Sequence, residues 1–324
     1  MTVTGELQLG FIPLVDAAPL IVAQAKGFFA GQGLTVALSR EGSWATVRDK
    51  VAAGALDGAH MLSPMVFAAS LGIGSETKAM IAPLALNRGG AAVTLSTRLA
   101  GEQPPGVQLA RLARRRQEEG ASPLTLAVVY PFSIHNYLLR TWLVRLGLDP
   151  DRDVRLTVAP PSRTADLLAE GVIEGFCAGA PWNAVAEAAG VGRTVVHVEE
   201  VLPDAPDKVF GVTEYWAAAN PQVLAGLIRA LDAAGRWCGA MENRAALADL
   251  LARPEHVGAP VSAIVQSLDE MAFGGAGLGR PRPEHALWIL DQMARWGQAE
   301  AADPARAAAR IYRPDLYDQA VGNR

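Results

Sequence analysis

The sequence predicts an α/β protein of two similar lobes, each a mostly parallel sheet flanked by helices. Three observations carry this. Strand-like and helix-like segments alternate through the first ninety residues, which implies a parallel sheet with helices on both faces. The pattern of residues 47–64 returns at 164–181. The chain has 324 residues, half of them hydrophobic and 19% charged, enough for two domains of typical size.

Taken in order, residues 7–12 read as a strand. Residues 19–29 read as a helix, with Pro19 in its first turn and Gly31 past its end. Residues 34–38 are a strand. Ser43 is placed to cap a helix over 44–53 that Gly54 stops. Residues 57–61 form a short strand, and Pro64 opens the next helix. Residues 124–130 are strand-like and stop at Pro131; Ser133 and His135 then sit where a helix begins. From Ala217 onward the chain reads mostly helical, as over 221–235 and 283–296.

The repeat is ungapped. VRDKVAAGALDGAHMLSP (47–64) and TADLLAEGVIEGFCAGAP (164–181) superpose with a shift of 117, so Gly54 falls on Gly171, Asp57 on Glu174, Gly58 on Gly175 and Pro64 on Pro181. Each copy is an amphipathic helix, a glycine stop, an acidic-Gly corner, a strand of small residues and a proline-started helix. The expected division is a first lobe of 1–93 plus 211–324 and a second of 94–210, with a ligand cleft between them. Ligands of open α/β sheets sit at the carboxyl ends of strands, facing helix starts. The helix-start residues Trp44, Ser63, His135, Ser162 and Trp182 are therefore the first candidates.

Composition excludes several classes. Net charge is −4, which argues against a broad nucleic-acid footprint. The basic run RLARRR (111–116) is followed by Gln117, Glu118 and Glu119, and reads as a solvated face or as a docking patch. Two cysteines, Cys177 and Cys238, build no disulfide framework and no cysteine metal site, and suit a reducing compartment. The N-terminus MTVTGELQLGFIPL shows no signal-peptide pattern, and no window reaches the ~18 apolar residues of a membrane helix. The expectation is a cytoplasmic protein without a membrane span, or a periplasmic one whose export signal was removed.

Enzymatic motifs are thin. A nucleophilic reading pairs Cys177 with His135 or His60, but Cys177 reads better as a small buried hydrophobe. Gly275, Gly277 and Gly279 form a GxGxG with no strand leading into it. The five histidines show no metal-ligand spacing such as HExxH, and no GxxxxGK[ST] is present. No metal or cofactor is expected. What the pattern does offer is donors. A helix start favours anions. His135 adds a ring donor there, the Trp44 indole N–H only donates, and Lys208 in PDKVFG adds a positive charge. Taken singly, His135 reads as well as a structural cap, Trp44 as a packing residue and Lys208 as a surface lysine.

The stretches GFIPLVDAAPLIVAQAKGFF (10–29), SREGSWATVRDKVAAGALDGAHMLSPM (39–65), PFSIHNYLLRTWL (131–143) and GFCAGAPWN (175–183) resemble the nitrate-binding proteins of nitrate ABC importers, with the bicarbonate-binding branch as near relatives. The likeness runs from about residue 7 to 220, with an echo in IYRPDLYDQA (311–320). It implies a two-lobed, periplasmic-binding-protein-like fold of type II that closes over a planar oxyanion, a binder and not an enzyme. It points to Trp44, His135, the backbone around Gly179, and Lys208 as ligand contacts. A lysine at 208, where the bicarbonate branch is expected to carry an acid, favours nitrate or nitrite. The sequence departs from the family twice. A customary glutamine contact is missing near Gly90 and Ala91, where Arg88 is a possible substitute, and GEPWN is GAPWN, with Ala180 in place of the acid. Without an export signal, the resemblance is greatest to cytoplasmic NasS-type nitrate/nitrite sensors, whose partner is an RNA-binding antiterminator. The alternatives are an importer's solute-binding component and, more remotely, an enzyme of the pyrimidine-biosynthesis type on the same fold.

Overall fold

The computed structural model describes residues 5–99, 104–274 and 277–322. Twelve strands follow in chain order among these residues. They are β1 (Leu7–Phe11), β2 (Val36–Arg40), β3 (Gly58–Leu62), β4 (Met80–Ala85), β5 (Arg88–Gly89) and β6 (Ala91–Ser96). The remainder are β7 (Leu124–Val128), β8 (Val154–Val158), β9 (Gly175–Gly179), β10 (Gly192–His197), β11 (Lys208–Thr213) and β12 (Met271–Ala272). The chain divides into two compact units. The first is Met1–Arg88, Pro206–Gly258 and Met271–Arg324, and the second is Gly89–Ala205 with Ala259–Glu270. The chain re-enters the first unit at Pro206, ahead of Gly211, and the helix Val261–Leu268 belongs to the second unit.

The first unit is built on a five-stranded sheet of order β2-β1-β3-β11-β4. β1 runs parallel to β2 and β3, while β11 runs antiparallel to β3 and β4. The second unit repeats this with order β10-β6-β9-β7-β8: β7 is parallel to β8 and β9, and β6 is antiparallel to β9 and β10. The α/β class matches the sequence-based expectation, but the sheets are mixed. One strand in each, β11 and β6, reverses direction and supplies both antiparallel ladders. Parallel pairing follows helical crossovers, whereas β11 arrives from the other unit and is free to enter the sheet in the opposite sense.

Local signals explain the elements. Ser43 accepts from Thr46 N at 3.2 Å and starts the helix Trp44–Ala53, and Gly54 ends it at φ 76°, a left-handed turn that glycine adopts without strain. Gly171 ends the helix Thr164–Glu170 in the same way at φ 74°. The helix expected over 19–29 is shorter, Ala18–Ala25, because Gly27 at φ 75° turns the chain before it reaches Phe29. The basic run 111–116 lies on the helix Pro105–Glu118, whose buried residues are Leu109, Ala110 and Ala113. Of the GxGxG glycines, Gly275 lies outside the described residues. No helix among the described residues is long and apolar enough to cross a membrane.

Candidate functional site

The first unit gathers a group of buried charged residues near the carboxyl ends of β1 and β3. β1 ends at Phe11, and the short turn Val15–Ala17 beyond it carries Asp16. β3 carries His60, paired across the ladder with Phe210 of β11. Lys208 lies two residues before Phe210 on the same strand face, so it is a diagonal neighbour of His60. Asp207 precedes it. Trp44, the first residue of its helix, closes the group. Asp16, His60, Asp207, Lys208 and Trp44 are all buried, with Lys208 and His60 at 0% exposure.

The contacts are short. The Lys208 ammonium Nζ sits 2.8 Å from Asp16 Oδ2 and 2.6 Å from Asp207 Oδ2. His60 Nε2 is 2.7 Å from Asp16 Oδ1. The Ile12 N–H points at His60 Nδ1 at 3.5 Å. The Trp44 ring lies 5.2 Å from the His60 ring and 5.8 Å from Lys208 Nζ, within cation–π range. The Lys208 backbone is fixed on both sides: its N–H donates to Asn87 Oδ1 at 3.2 Å, and its carbonyl accepts from Leu86 N at 2.8 Å.

These placements overturn one reading of the sequence. Lys208 is not a surface lysine: it is fully buried, and two carboxylates hold it. A cation taken wholly out of water costs several kcal/mol unless it is paired, and this one is paired twice. Burial works against the charged form of Asp16, but Lys208 and His60 outweigh it and hold the carboxyl well below the usual range. Burial pushes Asp207 the other way, above the usual range, and the Asp16 charge adds to it. Lys208 stays protonated: burial opposes its charge, and the two aspartates more than restore it.

Apart from the atoms engaged in these ion pairs, two polar atoms in this group are buried without a hydrogen-bond partner, the Trp44 indole Nε1 and Asp207 Oδ1. Buried polar atoms are almost always satisfied, so such orphans point to a missing partner. Trp44 and Lys208, proposed from sequence, thus meet in one place. Asp16, His60 and Asp207 were missed as site residues. The available signal was an acid inside the apolar run IPLVDAAPLIVA, and an acid directly beside Lys208.

The other candidates lie elsewhere. His135 is in the second unit, buried in the first turn of the helix Ile134–Arg145, which Ser133 caps by accepting from Asn136 N at 3.1 Å. Gly179 ends β9 in the same unit, paired with Ala91. Arg88 belongs to the first unit and is half-buried. Its charge and that of Arg282 bear on His285, which burial, Arg282 and Arg88 together bring down to about 4. Arg282 Nε donates to His285 Nε2 at 3.1 Å. Cys177 and Cys238 are buried and form no disulfide. Among the described residues no group of His, Cys, Asp and Glu is arranged to hold a metal ion.

Comparison with known proteins follows the same lines. The model of the NMT1-like family matches residues 3–252. The chain is 37% identical over 303 residues to the bicarbonate transport ATP-binding protein CmpC of Synechococcus elongatus, covering 90% of this chain and 45% of that protein. It is 30% identical over 340 residues to the nitrate/nitrite binding protein NrtA of the same organism, covering 97% of this chain and 76% of that one. Against the crystal structure of the periplasmic nitrate-binding protein NrtA from Synechocystis, the TM-score is 0.90 at 27% identity, over 98% of this chain and 88% of that one. The chain spans about half the length of the ATP-binding relatives it matches. The chain therefore belongs to the NMT1-like family, as a homologue of the nitrate-binding protein NrtA.

Proposed function

We propose that this chain binds nitrate or nitrite and reports its presence, as a cytoplasmic sensor that controls a partner regulator of nitrate assimilation, an RNA-binding antiterminator. The observation that carries the ligand is the Trp44 indole N–H, buried and without an acceptor, beside the Lys208 ammonium. An indole N–H is satisfied only by an acceptor, and a small oxyanion is an acceptor that the ammonium also attracts. The reading draws further donors from His135 and the backbone at Gly179, and from Arg88. It involves no catalysis, in keeping with relatives named as binding proteins.

Two observations favour reporting over capture. The higher identity, 37%, is to part of a protein named for ATP binding, whereas NrtA, named for binding the anion, stands at 30%. Two buried cysteines outside any disulfide suit a reducing compartment. The second reading is a solute-binding component of a nitrate or bicarbonate importer. The likeness to the NrtA structure favours it for nitrate, and the identity to CmpC favours it for bicarbonate.

Calorimetric titration with nitrate, nitrite and bicarbonate tests the ligand. Heat with the first two and none with bicarbonate supports the reading; heat with bicarbonate alone overturns it. Trp44→Phe keeps the ring and removes the donor, so affinity for nitrate should fall roughly tenfold to a hundredfold, the worth of one hydrogen bond to a charged group. Gel filtration with the antiterminator tests the sensor role: co-elution that nitrate abolishes is expected, and co-elution indifferent to nitrate refutes it.

A further inference from the structure

We propose that the arginine-lined groove of the second unit, formed by the short turn Thr97–Leu99 and the helix Pro105–Glu118, is a docking site for an acidic segment of a partner protein. It goes beyond the anion reading above and does not depend on it.

The groove follows from the helix. Leu109, Ala110 and Ala113 face inward, so residues three and four apart on another side stand in a row toward water. Gln108, Arg111, Arg115 and Glu118 make that row, with Arg114 beside it. The turn Thr97–Leu99 supplies Arg98 to the same groove. Arg98 is held in place, because its Nη2 donates to the Ala169 carbonyl at 2.7 Å, near the end of the helix Thr164–Glu170. Arg114 Nη2 donates to the Leu146 carbonyl at 3.4 Å. The cavity so enclosed measures about 440 Å³, and Leu99 and Leu112 also line it. Arg116, the last of the basic run, is engaged elsewhere, with Glu174 at 3.5 Å.

Charge and shape select the occupant. Four guanidinium groups and one carboxylate, Glu118, stand among the described residues that line the groove, in a chain whose net charge is −4. Positive charges gathered on one face repel each other, and an acidic occupant removes that repulsion. A guanidinium carries five N–H donors in a fork that matches a carboxylate, so Arg98 and Arg114 retain donors beyond the ones given to backbone carbonyls. Arg115 lies 3.7 Å from Glu119, an exposed pair of the kind worth little, which a partner's carboxylate can replace. A small inorganic anion would leave most of the cavity unfilled and gain nothing from Leu99 and Leu112. A single-stranded nucleic acid needs rings on which to stack its bases. No aromatic side chain is among the described lining residues, and Glu118 would repel phosphates. A peptide with carboxylates on either side of an apolar residue meets the arginines and the leucines together.

The test is fluorescence anisotropy of the wild-type chain with the fluorescein-labelled peptide EELDELEE, its neutral counterpart QQLNQLQQ, and a uridine RNA of about 20 nucleotides. Binding of the acidic peptide alone is expected, and raising sodium chloride from about 50 to about 500 mM should weaken it by about tenfold or more, since exposed charges are screened. Arg111→Glu with Arg115→Glu reverses two exposed charges of the groove and should abolish binding. Arg253→Glu with Arg306→Glu makes the same change in net charge on the first unit and should leave binding as it was. No binding of the acidic peptide at low salt overturns the docking site, as does equal loss in the two double variants. Tighter binding of the RNA than of the peptide assigns the groove to nucleic acid and overturns it too. The wild-type comparison of the three probes decides the matter if a variant does not fold.

Discussion

The two units carry the same backbone hardware at an offset of 117 positions, and they differ in what they bury. β1 and β7 correspond, as do β3 and β9, and even the register repeats: Leu9 faces Gly58 as Leu126 faces Gly175. Gly54 and Gly171 end equivalent helices in the left-handed conformation. Asp57 N donates to Gln8 O at 2.8 Å while Asp57 Oδ2 accepts from Gln8 N, also at 2.8 Å. Glu174 makes the same pair of bonds to Thr125, at 2.8 and 2.7 Å. At the interior positions the units part. Where the first has Asp16 and His60, the second has Ser133 and Cys177. Ser133 caps a helix, and Cys177 is a buried thiol. Architecture is therefore repeated through corners and glycines, while charge is confined to one copy. That copy can hold it only because Lys208 and Asp207 arrive from a distant part of the chain.

The sharpest way to break this comparison is Lys208→Met. It leaves two buried carboxylates facing each other, and urea denaturation at pH 7 should show a loss of about 3–5 kcal/mol, typical of removing one partner from a buried ion pair. Acid gives the complementary view. The Asp16 carboxyl is held low in the folded chain, so its contribution is present above the ordinary carboxylate range and is lost as pH falls. Asp16→Asn should flatten the acid side of the stability–pH curve, and Ser133→Ala should leave that curve's shape unchanged.

Smaller effects probe the shared hardware. A Cβ at Gly58 would meet Phe210 at 2.7 Å and Val212 at 2.8 Å; at Gly175 it would meet Leu95 at 2.6 Å and the Thr94 carbonyl at 3.0 Å. Alanine at either should cost about 1–3 kcal/mol, with Gly175→Ala the worse because a backbone atom cannot swing away. Smallest of all are the corner acids. Asp57 also accepts from Trp216 Nε1 at 2.8 Å, so Asp57→Asn should lose about 1–2 kcal/mol and Glu174→Gln about 1 kcal/mol in the same denaturation assay.

Much of this was legible in the sequence because it is local. Caps, glycine stops and acidic corners act over three or four residues, so the repeat, both lobes and the helix starts at Trp44 and His135 could be read directly. The family resemblance added Gly179 and Arg88 and reinforced Lys208. The sense of β11 could not be read, since strand direction is set by the route the chain takes between units. Nor could the company of Lys208. Asp16 and His60 lie far from it in sequence, and nothing near residue 208 announces them.

The sequence by itself determined the α/β alternation, the internal repeat, the helix starts and the family, because each is written in short-range pattern or in long ordered motifs. Only the tertiary structure decided that Asp16, His60, Trp44, Asp207 and Lys208 share one dry place, with an indole N–H and one carboxylate oxygen left over. Charges removed from water must be balanced by neighbours in space, and neighbours in space are chosen by the sheet, whatever their separation along the chain.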